Sequence, residues 1–466
     1  MGFVLTFFET INDYFSDYIL VILLVGAGIF FTVRTRFVQV RCFGEGLKQV
    51  FGGIFKGKKS KADGLSSFQA LATAIAAQVG TGNIVGASGA ILAGGPGAIF
   101  WMWVIAFLGM ATNYAEAVLA QKTRQVDGEH ISGGPVYYIK YAFRGKFGKT
   151  LAFIFSLCAM LALGFMGLMV QSNSIAESFS NAFGIPSAYT GIIGLVLIVL
   201  CTLVFLGGVK RLAAITEKLV PIMAIAFLIC GFIILCFRIR YIPETLAMIF
   251  KYAFNPNAIL GCGVGMALKT AISEGAKRGL FSNEAGMGST PHAHAMASVE
   301  HPHQQGVAAM IGVFIDTFMV LTMTALVLIS TLYCGGNIDP MSGVINKTNA
   351  MQTAVSTVFG DVIGSVFVAI CLFFFAFSTI ICWNFFGRLN AQYLFKNNKN
   401  FMIIYSLISI FCVFLGTVLS NDLVWELTDF FNYLMVLPNV IALIALSRLV
   451  VDETRAAKQR KKEKKQ

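Results

Sequence analysis

The chain has 466 residues, of which 57% are hydrophobic and 12% charged, against roughly 25% charged residues in a soluble domain. That composition excludes a water-soluble fold, and although the formal net charge is +12, the placement of the basic residues argues against a nucleic-acid surface. The chain reads as an all-α integral membrane protein with eleven transmembrane helices.

Apolar runs of about 18 residues or more, long enough to cross the hydrocarbon, begin near residues 16, 68, 97, 150, 187, 213, 258, 306, 360, 401 and 422. The first is preceded by Glu9 and Asp13, with Asp17 at its start, rather than by a basic region. No small-residue cleavage site follows it, so this helix is expected to stay in the mature protein. Arg34, Arg36, Arg41, Lys48 and Lys59 come after the first run; Lys122, Arg124, Lys140 and Arg144 lie between the third and fourth; Arg455, Lys458, Arg460 and Lys461 follow the last. With eleven spans all these share one side, which the positive-inside rule makes cytoplasmic. The N-terminus is then external and the C-terminus cytoplasmic in a multi-pass protein surrounded by lipid, and the membrane expected is the bacterial inner membrane. Asp422, Glu426 and Asp429 fit an external turn, whereas Arg238, Arg240 and Lys251 dissent from the scheme. The ten cysteines are scattered without a CxxC pair and read as small buried hydrophobes.

The second run contains Ala76 to Gly86, AAQVGTGNIVG. Three glycines and an asparagine weaken a helix there. A second interruption, GLFSNEAGMGSTP from Gly279, lies about two hundred residues later. A helix broken within the membrane leaves backbone groups unpaired at several kcal/mol each unless something satisfies them. The N–H groups opening the second half-helix can hold a carboxylate, and carbonyls ending the first half can hold an ammonium group or Na+. Gly80 and Gly82 permit the backbone geometry and close approach, while Thr81 and Asn83 add side-chain oxygen. Gly82 and Gly86 also form a GxxxG, which serves equally for helix packing. GGPG at Gly94 to Gly97 reads as a turn, and the stretch near Gly133 to Phe143 as an amphipathic cytoplasmic connector.

Setting the first helix aside leaves two five-helix sets, each opening on an interruption, and an odd number per set inverts their orientation. Paired interruptions of this kind point to a transporter site. The divisions expected are an extra helix and loop at 1–65, repeats at 66–257 and 258–450, and a basic tail at 451–466. Glu116, Glu274, Lys277, Arg278, Glu284 and Asp316 lie in or near spans and are functional candidates on that ground. Glu284 reads as a structural acceptor for freed N–H groups, or as a proton site. His292, His294, His301 and His303 can be drawn as a zinc cluster, but read more simply as a solvated helix end.

GGPGAIFWMWVIAFLG, Gly94 to Gly109, and RGLFSNEAGMGSTPHAHA, Arg278 to Ala295, resemble the two hallmark segments of the sodium:alanine (alanine/glycine:cation) symporter family. The resemblance runs over essentially the whole chain. It implies a LeuT-type fold, with one extra N-terminal helix before a 5+5 inverted-repeat core holding two broken helices. It also implies transport of a small neutral amino acid with Na+ and no organic cofactor. The substrate is then expected at Gln78, Gly80, Thr81, Gly82, Asn83, Gln171, Phe281, Ser282, Asn283 and Trp383. Na+ is expected at the carbonyls of Ala76, Val79 and Phe375 and the hydroxyls of Ser378 and Thr379. Taken alone, a Ser-Thr pair in a membrane helix usually bonds back to its own helix. Trp383 would limit side-chain size, or simply pack. Gly167-Leu168 departs from the Gly-Asn common in the family.

The leading reading is therefore a symporter importing alanine or glycine with Na+. The alternatives are a glutamine:Na+ symporter of the same family and a proton-coupled transporter using Glu284. An enzyme is disfavoured by the lack of GxSxG, HExxH or paired intramembrane carboxylates. A channel is disfavoured by two unlike breaks, and no obligate protein partner is evident.

Overall fold

The computed structural model describes residues 2–56, 64–127, 130–205, 207–255, 264–335 and 344–463. The N-terminal helix α1 (Val4–Arg34) is followed by a second helix, α2 (Phe43–Lys56), which hydropathy did not reveal. Helix α2 buries Val50 against the bundle and leaves Lys48 exposed. With 14 residues it is shorter than the roughly 20 that a membrane span requires.

Helix α3 (Ser67–Gln78) starts on a reciprocal cap: Ser66 Oγ accepts from the Gln69 N–H while the Gln69 side chain accepts from the Ser66 N–H. It is bent by 47° from α4 (Gly82–Gly94) across the first interruption. The GGPG segment then turns, with Gly95 at φ 72°, into α5 (Ala98–Thr123). A short antiparallel pair, β1 (Gln125–Asp127) and β2 (His130–Ser132), leads to α6 (Pro135–Ala142), the expected connector. Gly134, at φ 122°, makes the entry into α6, and Pro135, Tyr138 and Ile139 are buried, so this connector is packed into the bundle.

The remaining helices are α7 (Gly145–Phe183), α8 (Thr190–Phe205), α9 (Gly208–Phe237), α10 (Ile242–Phe254), α11 (Val264–Asn283), α12 (Pro291–Ala295), α13 (Pro302–Tyr333), α14 (Ala350–Phe359), α15 (Asp361–Leu394), α16 (Lys399–Val418), α17 (Asn421–Ala445) and α18 (Ser447–Glu463). Among the described residues eight helices are long and apolar enough to cross a membrane, and α3 with α4 makes a ninth. Helix α8 has only 16 residues, and α11 carries Lys269, Glu274, Lys277 and Arg278. The run expected from residue 258, and the boundary between the two five-helix sets, fall partly outside the described residues.

Helix α5 packs on α11 and α13, α7 on α15 and α16, and α9 on α3. The two interruptions sit at the centre of this arrangement: every residue from 70 to 88 and from 275 to 297 is buried. Around the outside, apolar side chains face outward, among them Leu195 and Val199 on α8, Ile225 and Ile229 on α9, and Leu407 and Phe411 on α16. A continuous apolar exterior of this kind is the surface of a multi-pass membrane protein.

The histidines correct the sequence reading of a solvated helix end, because His292, His294 and His303 are buried. Each has a polar partner from another element. Asn390 lies 3.0 Å from His292, Gln305 2.7 Å from His294, and Tyr114 2.7 Å from His303.

Candidate functional site

In an uninterrupted helix the N–H groups of Gly80 and Thr81 would close on the carbonyls of Ala76 and Ala77, four residues back. They do not. Gly80 N–H donates to Asn83 Oδ1 at 3.0 Å, and Thr81 N–H donates to Gln171 Oε1 at 3.1 Å. Gln171, on α7, also accepts from the Thr81 hydroxyl at 2.6 Å. The carbonyls thus released accept from α15 instead. Thr379 Oγ1 donates to Ala76 O at 3.0 Å and to Ala77 O at 3.2 Å, and Ser378 Oγ lies 3.3 Å from Ala76 O. Both hydroxyls also reach the Phe375 carbonyl, at 2.8 and 3.1 Å. The result is a buried cluster of three carbonyl and two hydroxyl oxygens, all neutral, which suits a hard monovalent cation. Of the residues expected around Na+, Ala76, Phe375, Ser378 and Thr379 come together. Val79 is buried, with its N–H donating to Ile75 O.

The interruptions touch. A Cβ on Gly82 would stand 3.0 Å from Ser282 Cα, so glycine is what lets α4 approach the end of α11. Gln78 Nε2 donates to the Asn283 carbonyl at 2.7 Å, while Gln78 Oε1 is buried without a hydrogen-bond partner among the described residues. Between the breaks lies Asp316 of α13. Its carboxylate accepts from Asn83 Nδ2 at 2.7 Å, from Ser282 Oγ at 3.0 Å and from Thr317 Oγ1 at 2.9 Å. All three partners are neutral amide or hydroxyl groups, so none of them neutralises the carboxylate at the meeting point of the two breaks.

The second break is held differently from the reading made on sequence. Glu284, in the left-handed region at φ 57°, does not cap freed N–H groups. Its carboxylate accepts from the Ser289 hydroxyl and from the Trp383 indole N–H, the latter at 2.6 Å. The freed N–H of Gly286 goes instead to Glu116 of α5 at 3.1 Å. Asn439 of α17 donates to the same Glu116 carboxylate at 2.6 Å and to the Gly286 carbonyl at 2.9 Å. Trp383 meets Phe281 edge to face at 5.6 Å, and Phe281 in turn meets Trp425 at 4.7 Å. Asn384, one residue beyond Trp383, has its side-chain amide 3.5 Å from the Tyr405 hydroxyl.

Trp425 also lines a cavity of about 390 Å³ with Glu274, Lys277, Arg278, Lys347 and Glu426. Arg278 lies over the Trp425 ring at 4.7 Å and pairs with Asp429 at 3.0 Å. These charged residues of α11 therefore face a polar cavity and the acidic side chains of α1 and α17, not lipid.

The family model described as "Sodium:alanine symporter family" matches residues 1–466. The chain belongs to the sodium:alanine symporter family. It is 40% identical to the sodium/alanine symporter AgcS of Methanococcus maripaludis over 450 residues, 96% of each chain. It is 36% identical over 441 residues to a Bacillus subtilis protein named "Probable sodium/glutamine symporter GlnT", covering 94% of this chain and 87% of that one. Among solved structures, a mutant of the manganese transporter of Eremococcus coleocola superposes with a TM-score of 0.50 at 16% identity, covering 84% of this chain and 81% of the other. That likeness concerns the fold alone.

In this member of the sodium:alanine symporter family all ten residues expected around the substrate are buried. Gln78, Gly80, Thr81, Gly82, Asn83, Gln171, Phe281, Ser282 and Asn283 belong to the two breaks or bond directly to them, and Trp383 joins them through Phe281 and Glu284. Three residues carry more of the geometry than sequence reasoning gave them: Asp316, Glu116 and Asn439. The first two were visible as carboxylates within apolar runs, the strongest such signal available. Asn439 carried none.

Proposed function

We propose that this chain is a secondary active symporter that imports a small neutral amino acid, alanine or glycine, together with Na+ by alternating access. The observation that carries the proposal is the exchange of partners at the first break. Two N–H groups turn away from Ala76 and Ala77, and the vacated carbonyls meet Ser378 and Thr379. Na+ enters that oxygen cluster as the hydroxyl hydrogens rotate aside, and the two hydroxyls stay protonated while their lone pairs ligate the ion. The amino acid enters between the breaks, where Gly80, Thr81, Gly82, Gln171 and Ser282 offer polar groups and Asp316 offers charge to its ammonium end.

A zwitterion has no net charge, so the membrane potential cannot concentrate it by itself. Each Na+ carried inward contributes about 2.3 kcal/mol per 100 mV, roughly fifty-fold accumulation, before the Na+ gradient is counted. A neutral Na+ site next to the substrate is how that energy reaches it. Counting the bent pair, α8 and α11 with the eight long spans gives eleven, arranged as an extra helix and two inverted repeats of a LeuT-type fold at 66–257 and 258–450. The charge asymmetry supports an external N-terminus and a cytoplasmic C-terminus, and the membrane proposed is the bacterial inner membrane.

The relative named for glutamine supports a second reading of the substrate only. Competition of labelled alanine uptake in proteoliposomes by unlabelled Gly, Ala, Ser and Gln tests both. Strong competition by Gly and Ala and little by Gln is expected. Dominant competition by Gln transfers the assignment to glutamine.

A further inference from the structure

Three metal-ligating side chains meet where the start of α2 touches the start of α13. Cys42, Glu45 and His303 each offer one donor atom, and these atoms all lie within 4.8 Å of one another. His303 Nε2 stands 3.4 Å from Glu45 Oε1. That is long for a charge-assisted hydrogen bond. It is close to the edge, about 3.3 Å, of a tetrahedron with bonds of about 2.0 Å, the length of Zn–N and Zn–O bonds.

The surrounding groups are already arranged for such an ion. The Tyr114 hydroxyl lies 2.7 Å from Nδ1, the other ring nitrogen of His303, as in the outer contacts that orient a ligating imidazole. Lys461 of α18 holds the second Glu45 oxygen, Oε2, at 3.3 Å, which leaves Oε1 facing His303. His303 is buried, whereas Cys42 and Glu45 are half-buried, so the ring is fixed and the ion has a way in. A thiolate, an imidazole and a carboxylate form the mixed set that zinc accepts and that hard cations such as Mg2+ do not favour.

We propose that Cys42, Glu45 and His303 form a binding site for a borderline divalent cation of the zinc type, with three protein ligands and a water in the fourth position. Binding converts the Cys42 thiol to thiolate and releases its proton to solvent. The ion ties the amphipathic helix α2 to α13, thirteen residues before Asp316 and about 20 Å from it along the helix. Resting on the symporter reading above, this clamp resists movement of α13 against α2, so bound zinc slows uptake.

The test uses the purified full-length protein and Zn2+ alone. Titration calorimetry should give one ion per chain, with affinity at least ten-fold weaker in Cys42→Ser and in Glu45→Gln. A second readout needs no variant: Zn2+ should slow alkylation of Cys42 at least ten-fold, read by mass spectrometry of its peptide, while the exposed Cys236 reacts as before. Equal affinity in the wild type and both variants, or alkylation of Cys42 unaffected by Zn2+, would overturn the site. Should a variant fail to fold, the alkylation result decides. Binding is read without transport, so the site is judged apart from the symporter reading. Zn2+ that binds and leaves uptake unchanged overturns the clamp.

Discussion

Thr379 donates its hydroxyl hydrogen to the Ala76 carbonyl at 3.0 Å, joining α15 to the broken end of α3 across more than three hundred residues of chain. The bond stands where a helix would have placed the Gly80 N–H. A backbone N–H can only donate, but a hydroxyl keeps lone pairs free. When the hydroxyl hydrogen rotates away, the Thr379 oxygen can ligate a cation beside the same carbonyl. The break therefore exchanges a fixed internal bond for one that a cation can replace, while the Gly80 and Thr81 N–H groups and the Ala76 and Ala77 carbonyls all keep partners.

Trp383 is held on two sides, by its indole bond to Glu284 and by Gly167, where an added Cβ would lie 2.3 Å from the ring. Trp383→Ala should admit larger neutral amino acids and weaken competition by alanine. Glu284→Gln keeps an acceptor for the indole, so it should lower uptake but leave Na+ dependence intact. Competition profiles and Na+ curves of the two variants check this. An unchanged profile in Trp383→Ala returns the ring to a packing role. Proton-driven uptake without Na+, abolished by Glu284→Gln, makes Glu284 the coupling group.

Asp316 is the carboxylate at the meeting of the two breaks, and in the proposed site it faces the ammonium end of the substrate. Asp316→Asn keeps the volume, removes the charge and turns one of its acceptors into a donor facing Asn83 and Ser282. Hydrogen bonds to a charged group contribute about 1.5–3 kcal/mol, so alanine affinity at saturating Na+ should fall roughly ten- to a hundred-fold. Equilibrium binding of alanine to the purified variant measures it, and an unchanged affinity removes Asp316 from the site.

Much of this was legible in the chain and some was not. Glycines and an asparagine within an apolar run marked both interruptions, because no continuous span tolerates them without reason. The partners of those interruptions were harder to see. Asp316 meets Asn83 across 233 positions and Asn439 meets Glu116 across 323, and no local pattern encodes such pairs. Glu284 was misread for the same reason: a carboxylate in a break looks like a cap until Glu116 is found in that place. The histidines looked solvated because polarity was the only local clue, whereas their partners Asn390, Gln305 and Tyr114 come from other elements.

Glu116 predicts a stability effect. Glu116→Ala leaves the Gly286 N–H buried without its acceptor and takes one of two acceptors from the Asn439 amide, each such loss costing about 1–3 kcal/mol. Glu116→Gln keeps one acceptor and should cost less. Thermal unfolding in detergent should rank the wild type above Glu116→Gln and Glu116→Gln above Glu116→Ala. Equal midpoints would show that the second break does not depend on this carboxylate.

The central claim is that the oxygen cluster at Ala76, Phe375, Ser378 and Thr379 holds the coupling Na+, and Na+ titration of alanine uptake in reconstituted wild type, Ser378→Ala and Thr379→Ala tests it most directly. Each substitution removes one ligand to a charged group, about 1.5–3 kcal/mol, so half-saturating Na+ should rise roughly ten- to a hundred-fold. Alanine affinity at saturating Na+ should change far less, and at low Na+ it should fall, because linkage between the two ligands is reciprocal. Na+ curves in both variants that overlay the wild type would contradict the account and leave Ser378 and Thr379 as hydroxyls that only close a helix break.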